Sequence, residues 1–547
     1  MKICLLFSLF FITQNVFSQD TLTKKDFLTG GKFLGLNFTD REIDSMYGSV
    51  RNTVGEIKKM HKFRLDNNVP MTLTHSPVLP GMKFNTKQQA VKWDIPKNVN
   101  LPPNKNELAF YPILQLASLI KNKKITSVEL TRFFIDRLKK YGDSLQCVIS
   151  LTEDIAMQQA MQADKEIGAG KYRGPLHGIP YGLKDLFAVK GTKTTWGAAP
   201  YKDQTIDEDA YVYTKLKDAG AVLVAKFTLG ALAQGDYWYG GRTKNPWNTK
   251  FGSSGSSAGS TAATVAGLVP FAIGTETLGS IISPSTTCGA TGLRPTFGSI
   301  SRSGAMTLSW SLDKAGPLCR SAEDAAVVFN YLHGTDGKDA SAVNMPFNFT
   351  GKTDLSKLKI AYAKNYFSRR DTMGNELAVL EAFRKSGAEL IPVNFPDSGI
   401  YNFNMTGIIL NAEAAAAFDE FTRSDLDDMM TRQNRGDWPN SFRSSRFIPA
   451  VDYVNANRHR YLLMKKMDEF ISKYDVVICP TFVGSQLRIT NLTGHPAVCL
   501  PTGFNKNHLP TSITLVGKLY DEATLLAIAK AYQQGTPWDE MHPEMFK

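Results

Sequence analysis

Residues 252–284 read GSSGSSAGSTAATVAGLVPFAIGTETLGSIISP. A glycine- and serine-rich run can be a flexible linker, but this one passes directly into TAATVAGLVPFAIG, which is apolar enough to be buried. Alanine, serine and glycine there let a helix pack tightly against a sheet, so the stretch predicts a buried small-residue helix rather than a linker. Ser256 and Ser280 stand in small-residue loops on either side of it, and upstream the segment GIPYGLKD (178–185) carries Lys184. A serine hydroxyl is a poor nucleophile near neutral pH and needs a positioned base. Lysine can be that base when burial strips its charge.

Working outward, helix and strand signals alternate. Thr126 and Glu129 cap a helix running through Lys140, Ile179 to Leu183 is a short apolar run, Asp209 to Ala219 is helical and stops at Gly220, and Ala221 to Ala225 is a strand. Leu358 to Ala363 and Glu389 to Val393 read as strands around a helix near Leu377 to Lys385. Such alternation predicts an α/β fold with helices covering a largely parallel or mixed sheet. Before it, Thr39 and Glu42 form a capping box for an amphipathic helix reaching Arg64. Residues 67–105 then carry Asn67, Asn68, Pro70, Pro77, Pro80, Pro96, Pro102 and Pro103, a density of breakers that excludes regular structure. The expected organisation is an export signal at 1–18, an N-terminal extension at 19–105 and the main domain at 106–547.

The signal is read from MKICLLFSLFFITQNVFSQ, where Lys2 precedes an apolar run from Ile3 to Ile12 and the small-residue site Val16-Phe17-Ser18. That run is too short to span a membrane comfortably, so the expectation is a secreted or periplasmic protein without stable membrane insertion. A hydrophobic content of 43% and a charged content of 21% are ordinary for a globular enzyme. The net charge of +12 is dispersed, without a basic patch interleaved with aromatics, and predicts no nucleic-acid partner. Cys147, Cys288, Cys319, Cys479 and Cys499 form a sparse, odd set after the signal, with no metal-ligand spacing. No cofactor or metal is expected.

Five segments then carry a specific resemblance. SGSSAGS (254–260), GTETLGSIISP (274–284), GATGLRPT (289–296), GIPYGLKD and DKAGPLCRSAEDAA (313–326) are similar, in order and spacing, to the patterns of the amidase signature family of serine hydrolases. The likeness is strong over about 108–335 and returns at DVVICPT (475–481) and GHPAVCLPTGF (494–504). It implies the amidase signature fold, a large mixed β-sheet covered by helices on both faces, here with a helical N-terminal extension. It also implies a Ser-cisSer-Lys site in which Lys184 is the base, Ser256 the bridging serine after a cis peptide bond at Gly255-Ser256, and Ser280 the nucleophile. The implied oxyanion donors are the backbone N–H groups of Thr277, Leu278, Gly279 and Ser280. Glu276 stands where the family pattern has aspartate, Leu278 where it has glycine, and Ile282 where it has the arginine of GSIR. The T-E-T-x-G-S variant resembles the subgroup containing bacterial peptide amidases.

The implied activity is hydrolysis of a linear carboxylic amide through a Ser280 acyl-enzyme. Substrate readings run from C-terminal amides of peptides or amino acids to small aryl, aliphatic or fatty acyl amides, and the chain fits a monomer or a homodimer. Tyr401, Phe403, Met405, Phe418, Trp438 and Phe447 are the candidate walls of an acyl pocket. Asp185 and Arg320 read as structural braces and His177 as packing. Three rivals stand beside this reading. Gly255-Ser256-Ser257-Ala258-Gly259 satisfies GxSxG, which would make Ser257 the nucleophile with His459 or His495 as base. The others are an amide-transfer subunit that works on charged transfer RNA, which export opposes, and a catalytically silent binding protein on the same scaffold.

Overall fold

The computed structural model of the chain describes residues 22–369, 374–397 and 405–547, so the export signal expected at 1–18 lies outside the described residues. The chain divides into two units between Leu65 and Asp66. The first contains two helices, Lys24–Leu34 and Asp40–Met60. The Thr39 amide donates to the Glu42 carboxylate at 2.7 Å and the Glu42 amide to Thr39 Oγ1 at 3.4 Å, the capping box legible in the sequence. Phe27 stacks on Tyr47 across the two helices, with ring centroids 5.8 Å apart.

The second unit is built on strands β1 Val148–Leu151, β2 Pro180–Lys184, β3 Val222–Phe227, β4 Tyr237–Trp238, β5 Gly241–Arg242, β6 Ala272–Glu276 and β7 Thr291–Arg294. The rest are β8 Lys314–Cys319, β9 Ile360–Ala363, β10 Leu390–Val393, β11 Val476–Pro480, β12 Ala497–Phe504 and β13 Pro510–Gly517. Eleven of them make one mixed sheet in the order β1-β3-β2-β6-β8-β7-β12-β13-β11-β9-β10, while β4 and β5 pair separately. At its centre β2 runs parallel to both β3 and β6, and β6 runs antiparallel to β8. Alternate residues of a strand face opposite sides. On β3, Val222 and Val224 join Leu138, Ala156 and Ala262 in one core, whereas Leu223 joins Leu119 and Leu216 in another. On β11, Val476 and Ile478 divide from Val477 and Cys479 in the same way. This two-sided burial is what helices on both faces of a sheet require.

The small-residue stretch forms the helix Ala258–Val265, every residue of which is buried. The five cysteines from Cys147 onward are buried free thiols. Among the described residues no helix is long and apolar enough to cross a membrane.

Residues 66–104 do lack helices and strands, as their prolines dictate, but they belong to the second unit rather than to a separate extension. Asn67 Nδ2 donates to the Thr307 carbonyl and Asn67 Oδ1 accepts the Thr307 amide, each at 2.8 Å. Gln88 makes the same two-way contact with Phe347, and Trp93 stacks on Phe349 with centroids 5.6 Å apart. Side-chain amides thus replace strand pairing in anchoring an irregular segment. Asn67→Ala removes both bonds, together with a third from Nδ2 to the Ala417 carbonyl at 3.3 Å, and leaves the half-buried Thr307 peptide unpaired. It is expected to destabilise the fold by about 1–3 kcal/mol, read as a lower midpoint in urea unfolding.

Candidate active site

Lys184 is the last residue of β2, and no part of it reaches solvent. Its Nζ donates to Ser256 Oγ at 2.8 Å and Thr275 Oγ1 at 2.8 Å, with Ser257 Oγ at 3.2 Å and the Thr275 carbonyl at 3.4 Å. Burial pulls its pKa from 10.5 down to about 7, against the raising effect of the Asp313 and Glu276 charges. At that value a large share of the side chain is a neutral amine near pH 7, whose lone pair can accept the Ser256 hydroxyl proton.

Ser256 follows Gly255 across a cis peptide bond. A Cβ on Gly255 would lie 1.9 Å from the Gly235 carbonyl oxygen, so only glycine fits there. The amide of the next residue, Ser257, donates to the Ser280 carbonyl at 3.1 Å and ties the two serine loops together. Relative exposure is 0% for Lys184, 1% for Ser256 and 8% for Ser280, so Ser280 is the least buried of the three.

Ser257 is fully occupied. Its hydroxyl donates to the Thr275 carbonyl at 3.0 Å and accepts from the Thr275 amide at 3.1 Å and from Lys184. One donor and two acceptor sites exhaust a hydroxyl. His495 is engaged with Thr493 Oγ1 at 2.8 Å, and His459 lies within the helix Ala450–Ile471. The GxSxG alternative therefore has neither an available serine nor a histidine beside it among the described residues.

The loop between β6 and the helix Ile282–Cys288 carries Thr277, Leu278, Gly279 and Ser280. None of these four amides is spent on a turn or loop hydrogen bond among the described residues. Gly279 has φ +89°, a region glycine enters without strain, and a Cβ there would sit 3.0 Å from Ser283 Oγ. Leu278 is not among the residues with positive φ, so leucine in place of a glycine is accommodated in ordinary backbone space.

The motifs already quoted carry Glu276, Thr277, Asp313 and Arg294, but nothing in the sequence announced how they pair. Thr277 Oγ1 donates to Asp313 Oδ1 at 2.6 Å, and Asp313 Oδ2 accepts the amides of Leu308 and Ser309. Glu276 is held by Arg294, at 3.0 Å, and by Asn491, at 2.8 Å. These partners come together only in the folded sheet, so no local spacing announces them. Asp185 pairs with buried Lys226 at 3.0 Å, and Arg320 donates to the Thr264 carbonyl at 2.9 Å, both braces as expected. His177 accepts the Arg173 amide at 3.1 Å and lies against Tyr172.

The aromatic pocket expected between 400 and 460 needs correction. Tyr401 and Phe403 lie outside the described residues, Phe447 is exposed, and Met405, Phe418 and Trp438 are buried core. Phe418 and Trp438 both stack on Phe442, and Trp438 Nε1 donates to the Leu232 carbonyl at 2.9 Å. Leu232 and Ala233 stand just before Gly235, which abuts Gly255. The aromatic block is thus tied through Trp438 to the segment that leads into Gly235. A cavity of about 270 Å³ is lined by Thr275, Thr277 and Asp313 together with Met306, Trp310 and Met71.

The family model described as Amidase matches residues 129–490. A glutamyl-tRNA(Gln) amidotransferase subunit from Legionella pneumophila subsp. pneumophila is 32% identical over 481 residues, covering 79% of this chain and 99% of that protein. Its counterpart in Coxiella burnetii is 32% identical over 483 residues, with the same coverage. Among solved structures, native peptide amidase from Stenotrophomonas maltophilia is 27% identical with a TM-score of 0.70, covering 78% of this chain and 97% of that one. A bacterial aryl acylamidase of the amidase signature family, 21% identical with a TM-score of 0.70 over 79% of this chain and 97% of that one, shares the fold.

Proposed function

The chain belongs to the amidase family of enzymes acting on the carbon–nitrogen bond of linear amides, and on that premise we propose that it works through a Ser280 acyl-enzyme with Lys184 and Ser256 as its proton relay. The observation that carries this reading is the fully buried Lys184 amine, its pKa lowered by burial, 2.8 Å from Ser256 Oγ, after the cis bond.

Proton bookkeeping gives the order of events. Neutral Lys184 accepts the Ser256 proton, Ser256 accepts that of Ser280, and Ser280 Oγ bonds to the amide carbon, moving an electron pair onto the carbonyl oxygen. The unspent amides of Thr277, Leu278, Gly279 and Ser280 are the donors to that oxyanion, and loss of one such donor typically slows turnover by about 100-fold or more. As the oxyanion collapses, the C–N bond breaks and the nitrogen takes a proton back through Ser256, because an unprotonated amine leaves very poorly. Water then gives a proton to the same relay as its oxygen bonds to the acyl carbon, the ester bond to Ser280 Oγ breaks, and Oγ takes the proton back as the carboxylic acid leaves.

The proposed substrates are C-terminal amides of peptides or amino acids. The T-E-T-x-G-S loop and the 27% identity to a peptide amidase support this choice. Residues 1–18 are read as an export signal, which gives a mature chain starting at Gln19 outside the cytoplasm. A second reading, an amide-transfer subunit that needs partner chains, is favoured by the relatives bearing that name at 32% identity.

One panel separates these readings. The isolated chain is expected to release ammonia from dipeptide amides at least about 10-fold faster, in kcat/KM, than from aryl or fatty acyl amides, a difference of about 1.4 kcal/mol in the barrier. Turnover of only the simple amides would overturn the peptide-amide choice. Turnover only in the presence of partner chains would favour the transfer subunit.

A further inference from the structure

Glu276 ends β6 four residues before Ser280, is wholly buried, and has both carboxylate oxygens doubly used. Oε2 accepts the amides of Ile281 and Ile282, at 2.9 and 3.0 Å, the two residues directly after Ser280. Oε1 accepts Arg294 Nη1 at 3.0 Å and Asn491 Nδ2 at 2.8 Å. Burial alone would raise the Glu276 carboxyl, but Arg294, then Lys314, the Ile282 amide and Asn491 bring it down to about 2, so it is an anion at neutral pH. Arg294 is fully buried at the end of β7, and its Nη2 donates to the His495 carbonyl at 2.8 Å, which fixes its plane. Ile282, where the family pattern carries arginine, lies in an apolar cluster with Ala497, Cys499 and Leu487 that offers no counter-charge.

We propose that Glu276 and Arg294 are a positioning pair for the oxyanion loop, Glu276 fixing both amides that follow Ser280 and Arg294 holding the Glu276 carboxylate in place from β7. The proposal rests on Ser280 being the nucleophile. The loop from Thr277 to Ser280 is held at one end by Asp313 through Thr277 and at the other by Glu276, so its amides keep their aim only while both ends are fixed. Preorganised donors are effective because they need no reorganisation as charge develops. Glutamine cannot replace Glu276, because its NH2 group would face either two backbone donors or the Arg294 and Asn491 donors. Lysine at 294 keeps the charge but loses the fork that bonds Glu276 and His495 together.

The test compares unmutated enzyme, Glu276→Gln and Arg294→Lys. It uses kcat and KM on a turned-over amide, the Kd of phenylboronic acid, whose serine adduct is a tetrahedral anion, and the melting temperature. Glu276→Gln is expected to lower kcat about 100-fold and Arg294→Lys about 10-fold, with KM within about 3-fold, the scale of a displaced oxyanion donor. Phenylboronic acid should weaken in proportion to kcat/KM, which a merely structural loss would not produce. If Glu276→Gln fails to fold, Arg294→Lys carries the same comparison. Unchanged kcat in a folded variant, or a fall in kcat without weaker boronate binding, would overturn the pair. An unmutated enzyme that neither turns over an amide nor forms a boronate adduct on Ser280 would bring down the underlying site reading and the pair with it.

Discussion

Ser280→Ala is expected to lower amide turnover by about 10,000-fold or more while leaving the melting temperature within about 2 °C of the unmutated protein. The first number follows from removing the atom that forms the acyl bond, since without it only the oxyanion donors and substrate binding remain to catalyse attack by water. The second follows from the side chain itself. Ser280 is the least buried of the three site residues, and the loop contact to Ser257 uses the Ser280 carbonyl, which alanine retains. Ammonia release under single-turnover conditions and a thermal melt check both. A variant keeping a tenth of normal turnover would show that another group attacks the amide.

Lys184→Met is the second large effect, and it separates function from stability. Loss of the base is expected to reduce kcat by about 1,000-fold, within the range of general base catalysis. In the unmutated enzyme kcat/KM should fall as pH drops through about 7, the pKa that burial gives Lys184, because the protonated amine cannot take the Ser256 proton. The same shift destabilises the fold. A lysine whose pKa falls from 10.5 unfolded to about 7 folded binds its proton more weakly in the native state, by an upper bound of about 5 kcal/mol. That cost is fully present below about pH 7, where both states are protonated, and is relieved as pH rises from about 7 to 10.5. Relative to Lys184→Met, the unmutated protein should therefore gain stability between about pH 6.5 and about pH 9. Paired unfolding midpoints at those two values test it, and a constant or reversed difference would contradict a neutral buried lysine.

The features legible in the sequence share one property: their signal is local. The capping boxes at Thr39 and Thr126, the strand ending at Lys184 and the buried small-residue helix after Ser257 each follow from neighbouring residues. The features not legible are pairings across the sheet. Arg294 reaches Glu276 only because β7 and β6 both flank β8, and Asn491 reaches it from a helix 215 positions away in sequence. Asn67 meets Thr307 across 240 positions, so the prolines of 66–104 announced irregular backbone but not where it docks. Phe418 and Trp438 show the converse limit. Aromatic residues signal burial equally well for a pocket wall and for packed core, and only the fold shows that both stack on Phe442 within the core.

The central claim, a Ser280 nucleophile served by Lys184 through Ser256, is tested most directly by treating the chain with a fluorophosphonate and locating the modified serine by peptide mass mapping, alongside the Lys184→Met and Ser256→Ala variants. The relay predicts a single label on Ser280 that forms much more slowly in both variants. A label on Ser257, or one on Ser280 whose rate ignores both substitutions, would contradict it.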